Sequence, residues 1–165
     1  MFYLKNIAGI QKKLFITLIS IFIIIGIFAI DRILKTIFIN RPVPQSLFSG
    51  FLEFTKHENY GLIANLDVAH WPVICFSSAV IILLFFVLRQ SIEKNNVIQS
   101  VAFSLIIGGA LGNLYDRIIL GYVFDWILLF RTSIINLADL MIFFGLLLYA
   151  TSIKRNISNQ KTKDT

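Results

Sequence analysis

Four long stretches that are almost free of charge constrain this chain more than any other feature of its sequence. They are residues 14–30, 71–88, 97–115 and 132–153. Only the last contains a charged side chain, that of Asp139. A helix needs about 20 mostly apolar residues, within a range of roughly 17–25, to cross a bilayer. The sequence therefore predicts an all-α membrane protein with four transmembrane helices, in a single domain spanning residues 1–165.

The distribution of charge predicts which ends of these helices share a side of the membrane. The chain is 57% hydrophobic and only 15% charged, too apolar for a soluble domain of this length. Its net charge of +6 comes from short basic clusters between the apolar stretches rather than from one patch, which argues against a nucleic-acid partner. These clusters lie in the N-terminal arm, in the turn between spans two and three, and in the C-terminal tail. The positive-inside rule places both termini in the cytoplasm, and loops 31–70 and 116–131 outside.

Two aspartates lie in strongly apolar sequence and are the first candidates for chemistry. Asp125 lies in the segment GYVFDWILLF, and Asp139 lies about eight residues beyond Arg131, within span four. At about 1.5 Å per residue, Asp139 is predicted roughly 10 Å below the outer end of its helix. Two neighbouring carboxyls share a proton, so the pair can activate water against a peptide carbonyl without a metal. Asp116, beside Arg117 where span three ends, is predicted to be a supporting partner.

Two acidic residues form spaced pairs on predicted helices. Asn136 and Asp139 are three residues apart and share a helix face, either as part of a site or as a hydrogen-bonded clasp between helices. Asp31 and Lys35 are four residues apart at the outer end of span one, in the order that favours a helical ion pair. That pair is consistent with a purely structural role.

The end of span three combines small and polar residues. Asn113 and Arg117 are four residues apart, so they lie on one face of the helix. Arg117 can either extend to lipid headgroups or hold a substrate group or a carboxylate. Gly108 and Gly112 form a small-residue face that favours close helix packing.

Other kinds of chemistry find little support in the sequence. His57 and His70 lack the spacing of a zinc site, and the chain has no HExxH, GxSxG, Walker or dinucleotide-binding motif, so no metal or cofactor is expected. Cys75 is the single cysteine and is interpreted as a packed small hydrophobic residue. Trp126 is expected to be an anchor at the membrane interface.

Three motifs in the second half of the chain, taken together, point to a known family. GNLYDR, GYVFDW and INLAD follow one another in this order between residues 112 and 139. Asp31-x-x-x-Lys35 and the segment NYG at Asn59 to Gly61 precede them. In these motifs, and in having four spans, the chain resembles the lipoprotein signal peptidase (signal peptidase II) family.

The resemblance implies a single membrane protease domain and a specific reaction. The enzyme would be an aspartic endopeptidase of the bacterial inner membrane, with its site near the extracytoplasmic face. It would remove signal peptides from prolipoproteins, cutting before a cysteine that carries diacylglycerol, and would contact membrane lipid as a monomer. Asp125 and Asp139 would be the catalytic dyad. The residues that would line or support the site are Asn113, Arg117, Asn136, Asn59, Asp116, Asp31 and Lys35.

The resemblance also implies a small β-like element in the first outer loop. Ile63 and Ala64, which follow NYG, depart from the family's usual small residue and aromatic, so that loop is expected to contact substrate differently.

A non-enzymatic alternative is a small transporter or assembly subunit whose acids clasp helices or relay protons. A proton path needs polar groups across the membrane, and spans one and two offer few beyond Thr17, Ser20, Ser77 and Ser78. This distribution argues against that alternative.

Overall fold

A computed structural model of the chain describes residues 2–41, 45–48, 51–61 and 70–161. Its four helices are α1 (Phe2–Ile39), α2 (His70–Glu93), α3 (Val97–Ile119) and α4 (Leu137–Lys161). Each contains a segment long and apolar enough to cross a membrane, respectively Gly9–Ile39, Trp71–Glu93, Val97–Ile119 and Leu137–Arg155. The predicted four-helix membrane fold is confirmed.

Helix α3 is the centre of the bundle, and it packs against each of the other three helices. Small residues make this possible, as the sequence predicted. A Cβ atom on Gly108 would lie 2.9 Å from the Cβ of Ile27 on α1, and one on Gly109 would lie 2.5 Å from the backbone oxygen of Ala138 on α4. Without side chains at these positions, the backbones approach closely enough for polar side chains of three helices to meet.

A four-stranded antiparallel sheet covers one end of the bundle. Its strands, in spatial order, are β1 (Gln45–Phe48), β2 (Leu52–Asn59), β3 (Val123–Leu129) and β4 (Ser133–Ile135). The β-like element predicted in the first outer loop is therefore confirmed. The sheet also takes in the second outer loop, because VFDWILL pairs with β2 on one side and with β4 on the other.

The beginning of the fourth helix also differs from the prediction. Residues 133–135 extend the sheet, with Ile135 opposite Ile127, and α4 begins only at Leu137. Asp139 consequently lies in the first turn of α4 and not about 10 Å below the end of the helix. An apolar stretch is compatible with a strand or a helix, and here pairing with β3 determines which one forms.

Two minor predictions are also wrong. Trp126 is not an interfacial anchor, because it is only 6% exposed and stacks on Phe38 with ring centroids 4.0 Å apart. Cys75 is not packed inside the protein but lies on the exposed face of α2. Ile63 and Ala64, whose substrate contacts were expected to differ, lie outside the described residues.

A tight turn brings β3 back over the end of α3. Gly121 has a φ of 88°, a left-handed conformation that glycine adopts without strain. The backbone N–H groups of Leu120 and Gly121 both donate to the backbone oxygen of Asp116. The turn therefore places Asp125 above the polar end of α3, close to the start of α4.

Candidate active site

Asp125 is held in the middle of β3 by two asparagine side chains. It is 1% exposed. Its Oδ2 accepts a hydrogen bond from Asn59 Nδ2 at 3.1 Å, and its Oδ1 accepts one from Asn136 Nδ2 at 2.6 Å. Asn59 lies opposite Val123 in the sheet, so it is a diagonal neighbour of Asp125 on the same face. Strand pairing therefore aims the Asn59 amide at the carboxylate.

Asp139 is fixed by a reciprocal cap at the start of α4. The backbone N–H of Asn136 donates to Asp139 Oδ2 at 3.2 Å, and the backbone N–H of Asp139 donates to Asn136 Oδ1 at 3.0 Å. Its other oxygen, Oδ1, accepts a hydrogen bond from Asn113 Nδ2 at 2.8 Å. This capping arrangement satisfies backbone donors that the helix leaves unpaired. It also fixes the orientation of the carboxylate.

Two asparagines join the two aspartates into one network. Asn136 Nδ2 donates to Asp125 and also lies 3.1 Å from Asn113 Oδ1, while Asn113 donates to Asp139. The Asn136–Asp139 pair was compatible with a site or with an inter-helix clasp. The hydrogen bonds connect it both to α3, through Asn113, and to Asp125.

The surroundings of Asp125 change its acidity. Burial raises the pKa of Asp125, and the negative charge of Asp139 raises it further, to about 6. The hydrogen bonds from Asn59 and Asn136 and the positive charge of Lys35 lower this pKa in part. A buried carboxyl whose pKa is raised beside a second acid is typical of active sites that use acid–base chemistry.

A second cluster of charges lies beneath this pair and connects α1 to α3. Lys35 Nζ lies 2.6 Å from Asp116 Oδ2 and 3.1 Å from Asp31 Oδ2, so the predicted Asp31–Lys35 ion pair forms. Lys35 also donates to Asn113 Oδ1 at 3.3 Å. Asp116 accepts a hydrogen bond at 3.2 Å from the backbone N–H of Phe124, which precedes Asp125. The cluster therefore supports the strand that carries Asp125.

Arg32 belongs to this cluster and was missed by the sequence reasoning. It pairs with Asp116 through Nη1 and with Asp31 through Nη2 at 2.6 Å, and it lies 4.7 Å from the ring centroid of Tyr115. A single arginine at the end of an apolar stretch is usually interpreted as extending to lipid headgroups. The signal that could have found it was the excess of acid: Asp31 and Asp116 together need more than Lys35 to balance them.

Arg117 lies on the other side of Asn113 and faces the first outer loop. It donates to the backbone oxygens of Asn113 at 3.4 Å and Gly61 at 3.3 Å. It is also within electrostatic reach of Asp139, Asp125 and Asp116.

All nine predicted site residues thus lie in two connected clusters at the sheet-covered end of the bundle. Within the described ranges, no three His, Cys, Asp or Glu side chains are placed to hold a metal ion.

The fold and the site together define a class of protein. This is a multi-pass membrane enzyme with paired carboxyls at one end of a helix bundle. The family described as Signal peptidase (SPase) II matches residues 21–154. The chain belongs to the signal peptidase II family, and it is a peptidase.

Known proteins similar to the chain agree with this assignment. A lipoprotein signal peptidase of Caldicellulosiruptor bescii is 35% identical over 130 residues, which cover 76% of this chain and 84% of that protein. One of Staphylococcus haemolyticus is 29% identical over 161 residues, covering 92% of this chain and 99% of that protein. A solved structure described as a bacterial membrane enzyme superposes with a TM-score of 0.73 at 27% identity, covering 85% of this chain and 90% of the other.

Proposed function

We propose that this chain removes the signal peptide from diacylglyceryl-modified prolipoproteins, using Asp125 and Asp139 as its catalytic dyad. Cleavage falls before the lipidated cysteine. The observation that carries the proposal is the hydrogen-bond network in which Asn136 and Asn113 connect the two aspartates. Relatives named lipoprotein signal peptidases supply the substrate class.

The chemistry follows from the different surroundings of the two carboxyls. Burial keeps Asp125 protonated up to about pH 6, so it is the acid. The negative charge of Asp139 is what raises the pKa of Asp125 further, so Asp139 is the base. Asp139 removes a proton from a water molecule, the water oxygen bonds to the scissile carbonyl carbon, and Asp125 gives its proton to the carbonyl oxygen. The C–N bond then breaks, the leaving nitrogen takes the proton from Asp139, and Asp125 recovers its own from the intermediate's hydroxyl.

Arg117 and Asn59 are placed to meet the substrate beside the dyad. Arg117 bonds to Gly61 in the outer loop and to the backbone of α3, so it bridges the two sides of the site entrance. Its guanidinium can hold a polar group near the lipidated cysteine, such as an ester oxygen. The lipid tails of the substrate would lie between the helices, where the surroundings are apolar.

The membrane setting completes the proposal. The enzyme acts as a monomer in the bacterial cytoplasmic membrane, and the chain is one protease domain. Both termini face the cytoplasm, in line with the basic clusters in the N-terminal arm, the α2–α3 turn and the tail. The dyad then lies near the extracytoplasmic face, where a translocated prolipoprotein presents its cleavage site.

The transporter and assembly alternative is not favoured. Membership of a peptidase family argues against it. So does the grouping of buried charges: Asp31, Lys35, Asp116 and Asp125 lie together at the sheet-covered end of the bundle. A proton relay across the membrane would need similar groups at several depths.

Cleavage of a diacylglyceryl-modified prolipoprotein by purified protein in detergent tests the dyad. Asp125→Asn and Asp139→Asn are each expected to lose at least about a thousandfold in kcat, because either change leaves one proton transfer without a carboxyl. Glu53→Gln, which changes an acid on β2 away from the dyad, is the matched control. Circular dichroism confirms that each variant folds. A folded Asn variant with near-normal kcat would exclude that aspartate from the dyad.

A separate assay tests Arg117. Lipidated and unlipidated substrates are compared for wild type and Arg117→Ala. The variant should lose most of the preference for the lipidated substrate while keeping its fold. An unchanged ratio of kcat/KM values for the two substrates would exclude this role.

A further inference from the structure

A second cavity lies at the opposite end of the bundle from the aspartates. It has a volume of about 310 Å³ and opens between α1 and α2. Its lining includes Thr17, Ser20, Ile24, Phe85, Arg89 and Glu93. We call it the α1/α2 cavity. Its walls are mainly apolar, but it also contains a hydroxyl and a guanidinium whose positions carry the argument.

The depths of these groups along the bundle follow from an ion pair at the end of the cavity. Lys13 on α1 lies 2.6 Å from Glu93 on α2, so the two residues are at the same level. The two helices run in opposite directions. Thr17 and Arg89, each four residues from that pair, therefore lie about 6 Å deeper in the bundle, and Ser20 lies about 4.5 Å deeper again.

Two polar side chains of the cavity have unused hydrogen-bonding capacity. Ser20 is only 2% exposed, and its hydroxyl has no hydrogen-bond partner in the part of the chain that the structure describes. Arg89 is exposed and lies within electrostatic reach of Glu93, four residues along α2, but among the described residues it makes no hydrogen bond and no ion pair within 4 Å. Buried hydroxyls are normally bonded, so the unused donor of Ser20 points to a ligand that supplies an acceptor.

We propose that the α1/α2 cavity binds one anionic phospholipid. The phosphate bonds to Arg89, a glycerol ester carbonyl accepts a hydrogen bond from the Ser20 hydroxyl, and the start of an acyl chain lies against Ile24 and Phe85. The step of about 4.5 Å from the level of Arg89 to that of Ser20 suits the short distance between the phosphate and the ester carbonyl of a phospholipid. The order in depth also matches a phospholipid, since Arg89, which would bind the charged phosphate, lies nearer the membrane surface than Ser20.

The charge at the mouth of the cavity favours an anionic headgroup. Lys13 neutralises Glu93. Arg89 is also within electrostatic reach of Glu93, so these three groups leave one net positive charge at the mouth of the cavity. A basic residue near a membrane surface contributes about 1 kcal/mol toward anionic lipid, which is a factor of about five in affinity.

The size of the cavity suits part of one lipid. Its volume of about 310 Å³ is enough for a glycerol ester and the start of one acyl chain.

Native mass spectrometry of the full chain in detergent, with added phosphatidylglycerol, tests this proposal. Wild type should bind one molecule of phosphatidylglycerol more tightly than phosphatidylcholine. Arg89→Gln should weaken this binding about tenfold, and Ser20→Ala about threefold to tenfold. Lys94→Gln is the matched control: it removes the same charge from the same end of the bundle, outside the α1/α2 cavity, and should change affinity less than about twofold.

Several outcomes would overturn the proposal. One is equal binding of phosphatidylglycerol and phosphatidylcholine. Another is an equal loss of affinity for Arg89→Gln and Lys94→Gln. A third is a complex of two chains that excludes lipid. Binding of glycerophosphoglycerol as tightly as the whole lipid would also overturn it, since the acyl chain would then contribute nothing. Substrate cleavage in detergent, which does not involve Arg89 or Ser20, verifies that both variants are folded. Ser20→Ala is a small change, so it still tests the site if Arg89→Gln fails to fold.

Discussion

The hydrogen bond from Asn59 to Asp125 makes a quantitative prediction about the pH dependence of catalysis. Asp125 must carry a proton to act as the acid, so activity falls as the pH rises through its pKa of about 6. The Asn59 amide, 3.1 Å from Oδ2, stabilises the ionised form and therefore lowers that pKa. Asn59→Ala removes this donor, and the pKa of Asp125 should rise.

The size of the shift follows from the geometry. A hydrogen bond to a charged group contributes about 1.5–3 kcal/mol, and the half-buried position of Asn59 favours the lower end of that range. One pKa unit corresponds to about 1.36 kcal/mol, so the alkaline limb should move up by about one pH unit, from near 6 to near 7.

The assay is the pH profile of kcat/KM, which reports ionisations of the free enzyme. Loss of substrate contacts by Asn59→Ala would lower the whole profile, but it would not move the limb. Tyr60→Phe is the control, because it removes a neighbouring hydroxyl that donates to Glu58 at 2.5 Å. A limb that stays in place, or moves to lower pH, would refute the assignment of Asp125 as the acid.

Three further predictions concern stability. The pKa of Asp125 in the folded state, about 6, exceeds its unfolded value of about 3.9, so folding stability is lost as the pH rises through 6. Asp125→Asn should therefore gain up to about 3 kcal/mol over wild type between pH 3 and pH 8, about half of it above pH 5, measured by denaturant unfolding; parallel curves for the two proteins would contradict this. Asp116→Asn should lower the free energy of unfolding by about 3–5 kcal/mol, because Arg32 and Lys35 lose the carboxylate that they share. A variant with wild-type thermal stability would mean that this charge cluster does not stabilise the fold. Gly112→Ala should disrupt folding, since its Cβ would lie 2.7 Å from Asp31 Oδ2, whereas Gly26→Ala, with nothing within 4 Å, should express and melt like wild type.

Local properties of the sequence were enough to predict the helices and the two aspartates. Hydrophobicity over about 20 residues determines a membrane span without reference to the rest of the chain. The cost of an ionised group in apolar surroundings similarly singled out Asp125 and Asp139. The structure brings these two residues together through Asn113 and Asn136, both of which the sequence also indicated.

Features that depend on distant parts of the chain could not be predicted in this way. Residues 133–135 are apolar enough for a helix, and only pairing with β3 makes them a strand, which moved Asp139 to the first turn of α4. Arg32 was missed for the same reason: its partner Asp116 is 84 residues away in sequence. Pairings of that kind are contingent on the three-dimensional packing and leave no periodic signal.

The sheet that covers the site also determines when the enzyme first becomes active during its synthesis. Asn59, 66 residues before Asp125, is made well ahead of it, whereas Asn136 follows Asp125 by 11 residues. A ribosome-bound chain that has already inserted three helices thus holds Asp125. It still lacks Asp139 and the strand β4, which pairs with β3. Under the proposed dyad, the newly made chain therefore stays inert until Asp139, in the first turn of its last helix, has joined Asp125.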